Sequence, residues 1–364
     1  MFNDTFLKYY KNKKVFITGH TGFKGVWLTN TLLSLRARIM GYSLNDEKIK
    51  NFKKNCDYKK VKSIYSNILD RKKLEKEIFR FKPQIIFHLA AQSLVIKSFA
   101  KPKETIETNL NGTLNILEIC RKFIFIKSAV IITSDKCYLN KEIERGYRED
   151  DILGGQDPYS TSKASAEIIF NAYNINFFKK KKIGVATCRA GNVIGGGDWS
   201  ENRIIPDAIK SIKNKKKFYL RNPLSTRPWQ HVLEPISGYL KLGYYLSIKP
   251  KSFSQSWNFG PKGNQIKNVR NLIKILSSNL YPFKLKVFYS KNKKIKEAKL
   301  LKLNSQKAFE LLKWKCKWNM EQAIEKTAFW YKAFLLNEDT KKLIKKQIRE
   351  YFSNRENKKK QNHH

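Results

Sequence analysis

The chain is expected to fold as an α/β protein with a doubly wound parallel sheet, followed by a smaller C-terminal substrate-binding α/β domain. Three observations predict this. Residues 15–35 run from an apolar strand through a glycine-rich turn into a helix. Apolar strands and helical patterns then alternate up to about residue 190, the rhythm of a parallel sheet with crossover helices. Beyond 190, Gly195-Gly196-Gly197 and Pro206, Pro223, Pro228, Pro235, Pro250 and Pro261 cut the chain into shorter segments.

In chain order, Val15-Phe16-Ile17-Thr18 is the first strand, and Trp27-Leu28, Leu32-Leu33 and Leu35 repeat at helical spacing. Ile39 to Tyr42 reads as the second strand, Leu74 to Phe81 as a helix, and Gln84 to Leu89 as a buried strand after Pro83. A helix is expected from about Thr105 to Arg121, a strand from Ala129 to Thr133, a helix from Thr161 to Tyr173 and a strand from Gly184 to Cys188. The domain reading is a dinucleotide-binding unit over 10–190 to which 228–256 returns, and a substrate unit over 191–227 and 257–338. Residues 339–364 are read as a charged helical tail with a frayed end.

The composition bounds the function. The chain of 364 residues carries 74 Lys+Arg against 30 Asp+Glu, a formal net charge of +44. So basic a chain invites a nucleic-acid reading. Yet only 14 of the 74 are Arg, the fork-shaped side chain favoured for fixed phosphate and base contacts. The lysines are also scattered among Asn, Ile, Phe and Tyr along the whole length, as a Lys/Asn/Ile-rich coding bias would leave them. No nucleic-acid partner is expected. Cys56, Cys120, Cys137, Cys188 and Cys316 form no CxxC pair, so neither a disulfide framework nor a metal site is expected. No apolar run approaches a membrane span and the N-terminus has no signal-peptide pattern, so a soluble cytoplasmic location without membrane contact is expected.

Gly19-x-x-Gly22-x-x-Gly25 follows the first strand and opens a helix. In that place Gly19 serves a tight turn, Gly22 a close backbone approach to a pyrophosphate, and Gly25 the packing of helix on sheet. The acid that commonly selects NAD at the end of the second strand is absent near Tyr42 and Ser43, with Asp46 a little later, and no Arg is there for a 2′-phosphate. NAD is therefore preferred to NADP. Tyr159 and Lys163 lie four apart on one helical face, where an ammonium can favour a phenolate. Ser134, at the end of an apolar strand, completes a Ser-Tyr-Lys set, and Asp135-Lys136 follow it. His20 and His88 read as structural.

These residues, with Thr108-Asn109-Leu110-Asn111-Gly112-Thr113, resemble the extended short-chain dehydrogenase/reductase family acting on nucleotide sugars, whose nucleotide domain is a Rossmann fold. Gly19-His20-Thr21-Gly22-Phe23-Lys24-Gly25, Thr133 to Tyr138, Arg189 to Trp199 and Arg227 to Pro235 narrow the resemblance to its 4,6-dehydratases, with CDP-glucose as the implied substrate. That resemblance implies a sequence of steps in which Tyr159 takes the proton of the sugar 4-hydroxyl as hydride leaves C4 for NAD. The C5 proton and the 6-hydroxyl are then lost as water, and hydride returns to C6. The resemblance makes Asp135 the acid at C6. It places Lys136 at C5, either as a neutral base or as a cation stabilising the enolate.

The cofactor residues implied are Gly19, Thr21, Gly22, Phe23, Lys24, Gly25, Asn67, Ile68, Leu89, Ala90, Ala91, Tyr159 and Lys163, with the Asn67 amide accepting from the adenine amine. Gln92, Asn192, Arg203 and Arg227 are the implied substrate-binding residues, Phe259-Gly260 a late turn of the family, and Lys296 stands where a His often precedes Glu-Ala. A homodimer or homotetramer and a role in bacterial surface deoxysugar supply are also implied. An epimerase of the same family would have no use for the Asp135-Lys136 pair.

Overall fold

The structure is a computed structural model that describes residues 4–220, 222–261, 267–289 and 300–353. Lys296 and the end of the tail beyond residue 353 lie outside the described residues. Its centre is a seven-stranded sheet of β1 (Lys14–Thr18), β2 (Arg38–Ser43), β3 (Val61–Tyr65), β4 (Ile85–His88), β5 (Ser128–Ile132), β6 (Gly184–Arg189) and β7 (Ser256–Asn258). The order is β7-β6-β5-β4-β1-β2-β3, with every neighbouring pair parallel. The order reverses between β1 and β4, and open sheets of this kind bind ligands at the strand C-termini beside such a reversal.

The central strands β1, β4, β5 and β6 are buried almost throughout because both faces are covered. On one face Val15, Ile17, Phe87 and Val130 pack with Trp27 and Leu28 of α1 (Phe23–Ser34). On the other, Phe16, Ile86, Ala129 and Ile131 pack with Leu74 and Ile78 of α2 (Arg71–Phe81) and with Ile116 and Leu117 of a later helix. The helix expected at 105–121 is three pieces following a short α3 (Val95–Ala100): α4 (Pro102–Ile106), a π turn at Glu107–Asn111, and α5 (Gly112–Lys122). The wide turn sits at Asn109, and such turns favour functional places. The next helix, α6 (Pro158–Tyr173), starts three residues earlier than expected because Asp157 caps it, accepting from Ser160 N, with Pro158 in the first turn.

Two strands differ from expectation. β3 escapes a periodicity reading because it is a sheet edge, with Val61 buried and the rest partly exposed. β7 pairs with β6 and runs to Asn258, two residues past the 256 boundary. Before it, α7 (Leu233–Ile248) covers the sheet face shared with α1. The described part of the tail is α9 (Thr340–Phe352), which follows α8 (Met320–Leu335) and packs along one face. Ile344, Ile348, Tyr351 and Phe352 are buried in the main core. The Tyr351 hydroxyl donates to Glu234 of α7 (2.6 Å), and the Thr340 hydroxyl to Asn55 (2.7 Å). Lysines on the outer face of α9 hid this apolar stripe. Among the described residues, all five cysteines are free and no helix is long and apolar enough to cross a membrane.

Candidate active site

The glycine turn joins β1 to α1 beneath the sheet reversal. Gly19 adopts φ +73°, and a Cβ there would fall 2.8 Å from the Ala90 nitrogen, so this turn and the Leu89-Ala90-Ala91 loop after β4 approach backbone to backbone. Gly25 lies directly against the Gly19 carbonyl. Gly22 is the N-cap residue of α1 and offers no side-chain cap, which leaves the first N–H groups of the helix for an anionic ligand. Thr21 N donates to Ser43 Oγ (3.3 Å) at the end of β2. These features form the cradle a dinucleotide diphosphate needs. Asp46 is paired with Lys48 (3.0 Å), so Ser43, rather than an acid, ends β2 at the cradle.

Ile68 is buried and its carbonyl accepts from Asn115 Nδ2 (3.0 Å). Asn67 is exposed, and its Oδ1 already accepts from Leu69 N (3.0 Å). His20 is held between Ser43 Oγ (2.8 Å) and Ser63 Oγ (3.0 Å), and His88 shares hydrogen bonds with Thr18 (2.7 Å) and Thr113 (3.4 Å). Burial takes them down to about 4 and about 3, so both stay neutral, His20 in the glycine turn and His88 at the end of β4.

The candidate catalytic residues gather around the ends of β5 and β6. Ser134 starts a 3₁₀ turn, Asp135–Cys137, and its hydroxyl donates to Asp135 Oδ1 (3.0 Å) while accepting from Lys136 N (3.2 Å). Asp135 is buried because residue 191 has no side chain: a Cβ on Gly191 would sit 1.7 Å from Asp135 Oδ2. Lys136, the second residue of the turn, is exposed.

Tyr159 and Lys163 lie on the buried face of α6. Burial pushes the Tyr159 phenol up to about 12; the facing Ser134 hydroxyl and Arg203 oppose this and Asp135 adds to it. The Lys163 ammonium donates to the Ile132 carbonyl (3.4 Å), and burial takes it down to about 8. In the protein alone, desolvation outweighs any pairing of the two.

Asn109 binds this helix to the β4 loop: its Oδ1 accepts from Gln92 N (2.8 Å), and its Nδ2 donates to Gln92 O (3.0 Å) and Ser162 Oγ (2.8 Å). Gln92 differs from its expected place among the substrate contacts. Its amide donates to Leu94 O (3.0 Å) and Thr105 (2.9 Å) and accepts from Leu94 N (2.6 Å), so it braces its own loop.

Arg203 is ion-paired with Asp198 (2.8 Å) and close enough to act electrostatically on Tyr159. Lys24 faces the same place: burial brings it down to about 8, with Arg203 and Lys163 adding to the fall and Asp135 opposing it. The cluster therefore draws in a lysine expected only at the cofactor. Asn192 has φ +51° and its carbonyl accepts from Gln230 N (3.1 Å). Arg227 is on a two-residue strand paired with Lys267–Asn268 and donates to Thr226 O (2.7 Å). The late turn is closed by Gly260 N donating to Ser305 (2.8 Å). A group near the site that the sequence reading passed over is Glu167, one helical turn after Lys163; that spacing was its available signal.

A glycine cradle at the reversal of a parallel sheet, with Ser134 just beyond β5 and Tyr159 and Lys163 on α6, defines a Rossmann-type dinucleotide-binding fold. Residues 16–327 match the sequence profile of the family described as GDP-mannose 4,6 dehydratase. The chain is 40% identical over 351 residues to CDP-glucose 4,6-dehydratase from Salmonella typhimurium strain LT2, covering 95% of this chain and 98% of that protein. It belongs to the nucleotide-sugar 4,6-dehydratase family. Solved structures with the same fold include epimerase Mth375 of Methanothermobacter thermautotrophicus (TM-score 0.78, 21% identity, 91% of this chain and 96% of that one). Another is dTDP-glucose 4,6-dehydratase of Bacillus anthracis in complex with NAD (TM-score 0.72, 24% identity, 88% and 96%).

Proposed function

We propose that the chain is an NAD-dependent lyase converting CDP-D-glucose to CDP-4-dehydro-6-deoxy-D-glucose and water. One observation carries the choice of substrate: the 40% identity to the Salmonella CDP-glucose 4,6-dehydratase extends over 95% of the chain. The cradle of Gly19, Gly22 and Gly25 fits a dinucleotide diphosphate, with Thr21, Phe23, Ile68 and the 89–91 loop as its surroundings. NAD, when bound, supplies the acceptor that takes hydride from C4 and returns it to C6, so the reaction has no net redox change.

The chain's own residues do the proton work. Tyr159 removes the proton of the 4-hydroxyl, with Ser134 holding the hydroxyl in line and Lys163 supplying positive charge beneath. The 4-ketone acidifies C5–H. Lys136 acts on that proton as base or steadies the enolate, and Asp135 protonates the departing 6-hydroxyl, completing the loss of water. Arg203, beside Tyr159, and Arg227 suit the substrate diphosphate. Exposed Ile96, Phe99, Ile106 and Ile168 on the mutually packed α3, α4 and α6 support pairing of two copies.

Incubation with CDP-glucose and NAD should give a product lighter by one water with no accumulating NADH, and an unchanged substrate mass overturns the proposal. A parallel panel of dTDP-, GDP- and UDP-hexoses tests the nucleotide. With Lys136→Met, oxidation at C4 should remain detectable while water loss stops.

A further inference from the structure

Glu167 is buried beneath the reacting groups, its carboxylate completely inaccessible, and its two oxygens do different things. Oε2 is anchored to the sheet: it accepts from Thr187 of β6 (2.7 Å), Arg189 of β6 (2.8 Å) and Ser256 of β7 (2.9 Å). Oε1 accepts from the Thr133 hydroxyl (2.5 Å). Thr133 immediately precedes Ser134 and Asp135, and its backbone N–H is held by Cys188 O (2.9 Å). Along α6 the same carboxylate is one turn beyond Lys163, which is one turn beyond Tyr159, so the three form one stripe.

An ion pair sealed from water is a costly way to hold a strand to a helix, since apolar side chains of similar volume serve stability as well or better. The geometry points to another use, and it rests on the proposed roles of Ser134, Asp135, Tyr159 and Lys163. We infer that Glu167 is a positioning residue of the reaction, fixing the Ser134-Asp135 turn through Thr133 and keeping Lys163 charged from one helical turn below.

Burial alone would raise Glu167, but Arg189 and the hydroxyls of Thr133 and Thr187 outweigh it and hold the carboxyl below its ordinary range, so it stays an anion. The groups facing Lys163 are Glu167 on its own helix, Cys137 from the catalytic turn, His88 from β4 and Lys24 from α1. Glu167 is the foremost of those opposing the loss of the Lys163 proton, since the buried Cys137 thiol is held neutral. Arg189, Lys307, Cys137 and Cys188 are the charged or titratable groups acting with Glu167. Removing its charge makes Lys163 release its proton at lower pH.

The test measures the Lys163 titration midpoint by NMR of lysine-labelled protein, with Lys163→Arg identifying the signal, alongside the pH profile of kcat. In Glu167→Gln the midpoint and the alkaline limb should both move down by roughly one pH unit. Glu167→Asp, which keeps the charge, should restore most of the shift. Thr133→Val leaves the ion pair in place; its kcat should fall roughly tenfold with the midpoint unmoved, as befits a misplaced turn. An unmoved midpoint in Glu167→Gln, or an unchanged kcat in Thr133→Val, overturns the corresponding half of the inference.

If Glu167→Gln does not fold, the neutral pair Glu167→Gln with Arg189→Met reads the same midpoint and should show a smaller downward shift, because the Arg189 cation is removed together with the anion. A wild type inactive on CDP-glucose would defeat the proposed function alone, because the midpoint is read without substrate.

Discussion

Glu167 and Glu234 are both buried, one beneath the catalytic rim and one in the seam between α7 and α9, and they respond to burial in opposite ways. Glu167 has a guanidinium against it and stays below the ordinary carboxylate range. Glu234 accepts from Trp318 N (2.9 Å), Lys317 N (3.0 Å) and the Tyr351 hydroxyl (2.6 Å), yet burial still takes it up to about 7. Hydrogen bonds from neutral donors offset part of the desolvation; a full positive charge in contact reverses it. The rim thus holds a permanent anion, whereas the seam holds a carboxyl that takes up or releases a proton near neutrality.

The two regions should separate cleanly in experiment, rim changes altering rate and seam changes altering stability. Tyr159→Phe should lower turnover roughly 10²–10⁴-fold with an unchanged melting temperature, measured by product mass and calorimetry. Gly191→Ala drives a methyl into the Asp135 carboxylate; turnover should fall about a hundredfold or more, with the loss in kcat rather than KM.

At the seam, Glu234 has a folded pKa of about 7 against an ordinary value of 4.5, so the folded state holds a proton that the unfolded chain releases. This contribution is full below about pH 4.5, declines as pH rises, and is gone above about pH 7. The difference, 7 − 4.5, corresponds to on the order of 3 kcal/mol. Denaturant titrations across that window should show the decline in the wild type and a flatter profile in Glu234→Gln. The smallest effect belongs to Tyr351→Phe, which removes the buried hydrogen bonds of its hydroxyl with Glu234 and Ser237; about 1–2 kcal/mol of stability should go, with turnover intact.

The same division separates what was legible in the sequence from what was not. Local chemistry is written in short spacings: the three glycines, Ser134-Asp135-Lys136 and the Tyr159-Lys163 pair stand out, and the fold brings them to one rim. Contacts made across the fold are not. β3 is partly exposed and lacks an apolar run, and α9 conceals its buried stripe among lysines. Gln92 turns inward because Thr105 and Leu94 lie in reach once the chain has folded. The Tyr159 phenol is governed by how completely its helix is buried, which no motif encodes.

The docking of α9 has a consequence for the order in which the chain can be assembled. Thr340 closes on Asn55, and Lys345 on Asp57 (2.6 Å), beside the strands and helix of the first βαβ unit. During synthesis that unit leaves the ribosome first, yet its outer surface stays uncovered until almost three hundred further residues have been made. The nucleotide-binding half is therefore begun early and finished late, and a nascent chain stalled before α9 would display Phe52 and the outer side of α1 to whatever chaperone is at hand.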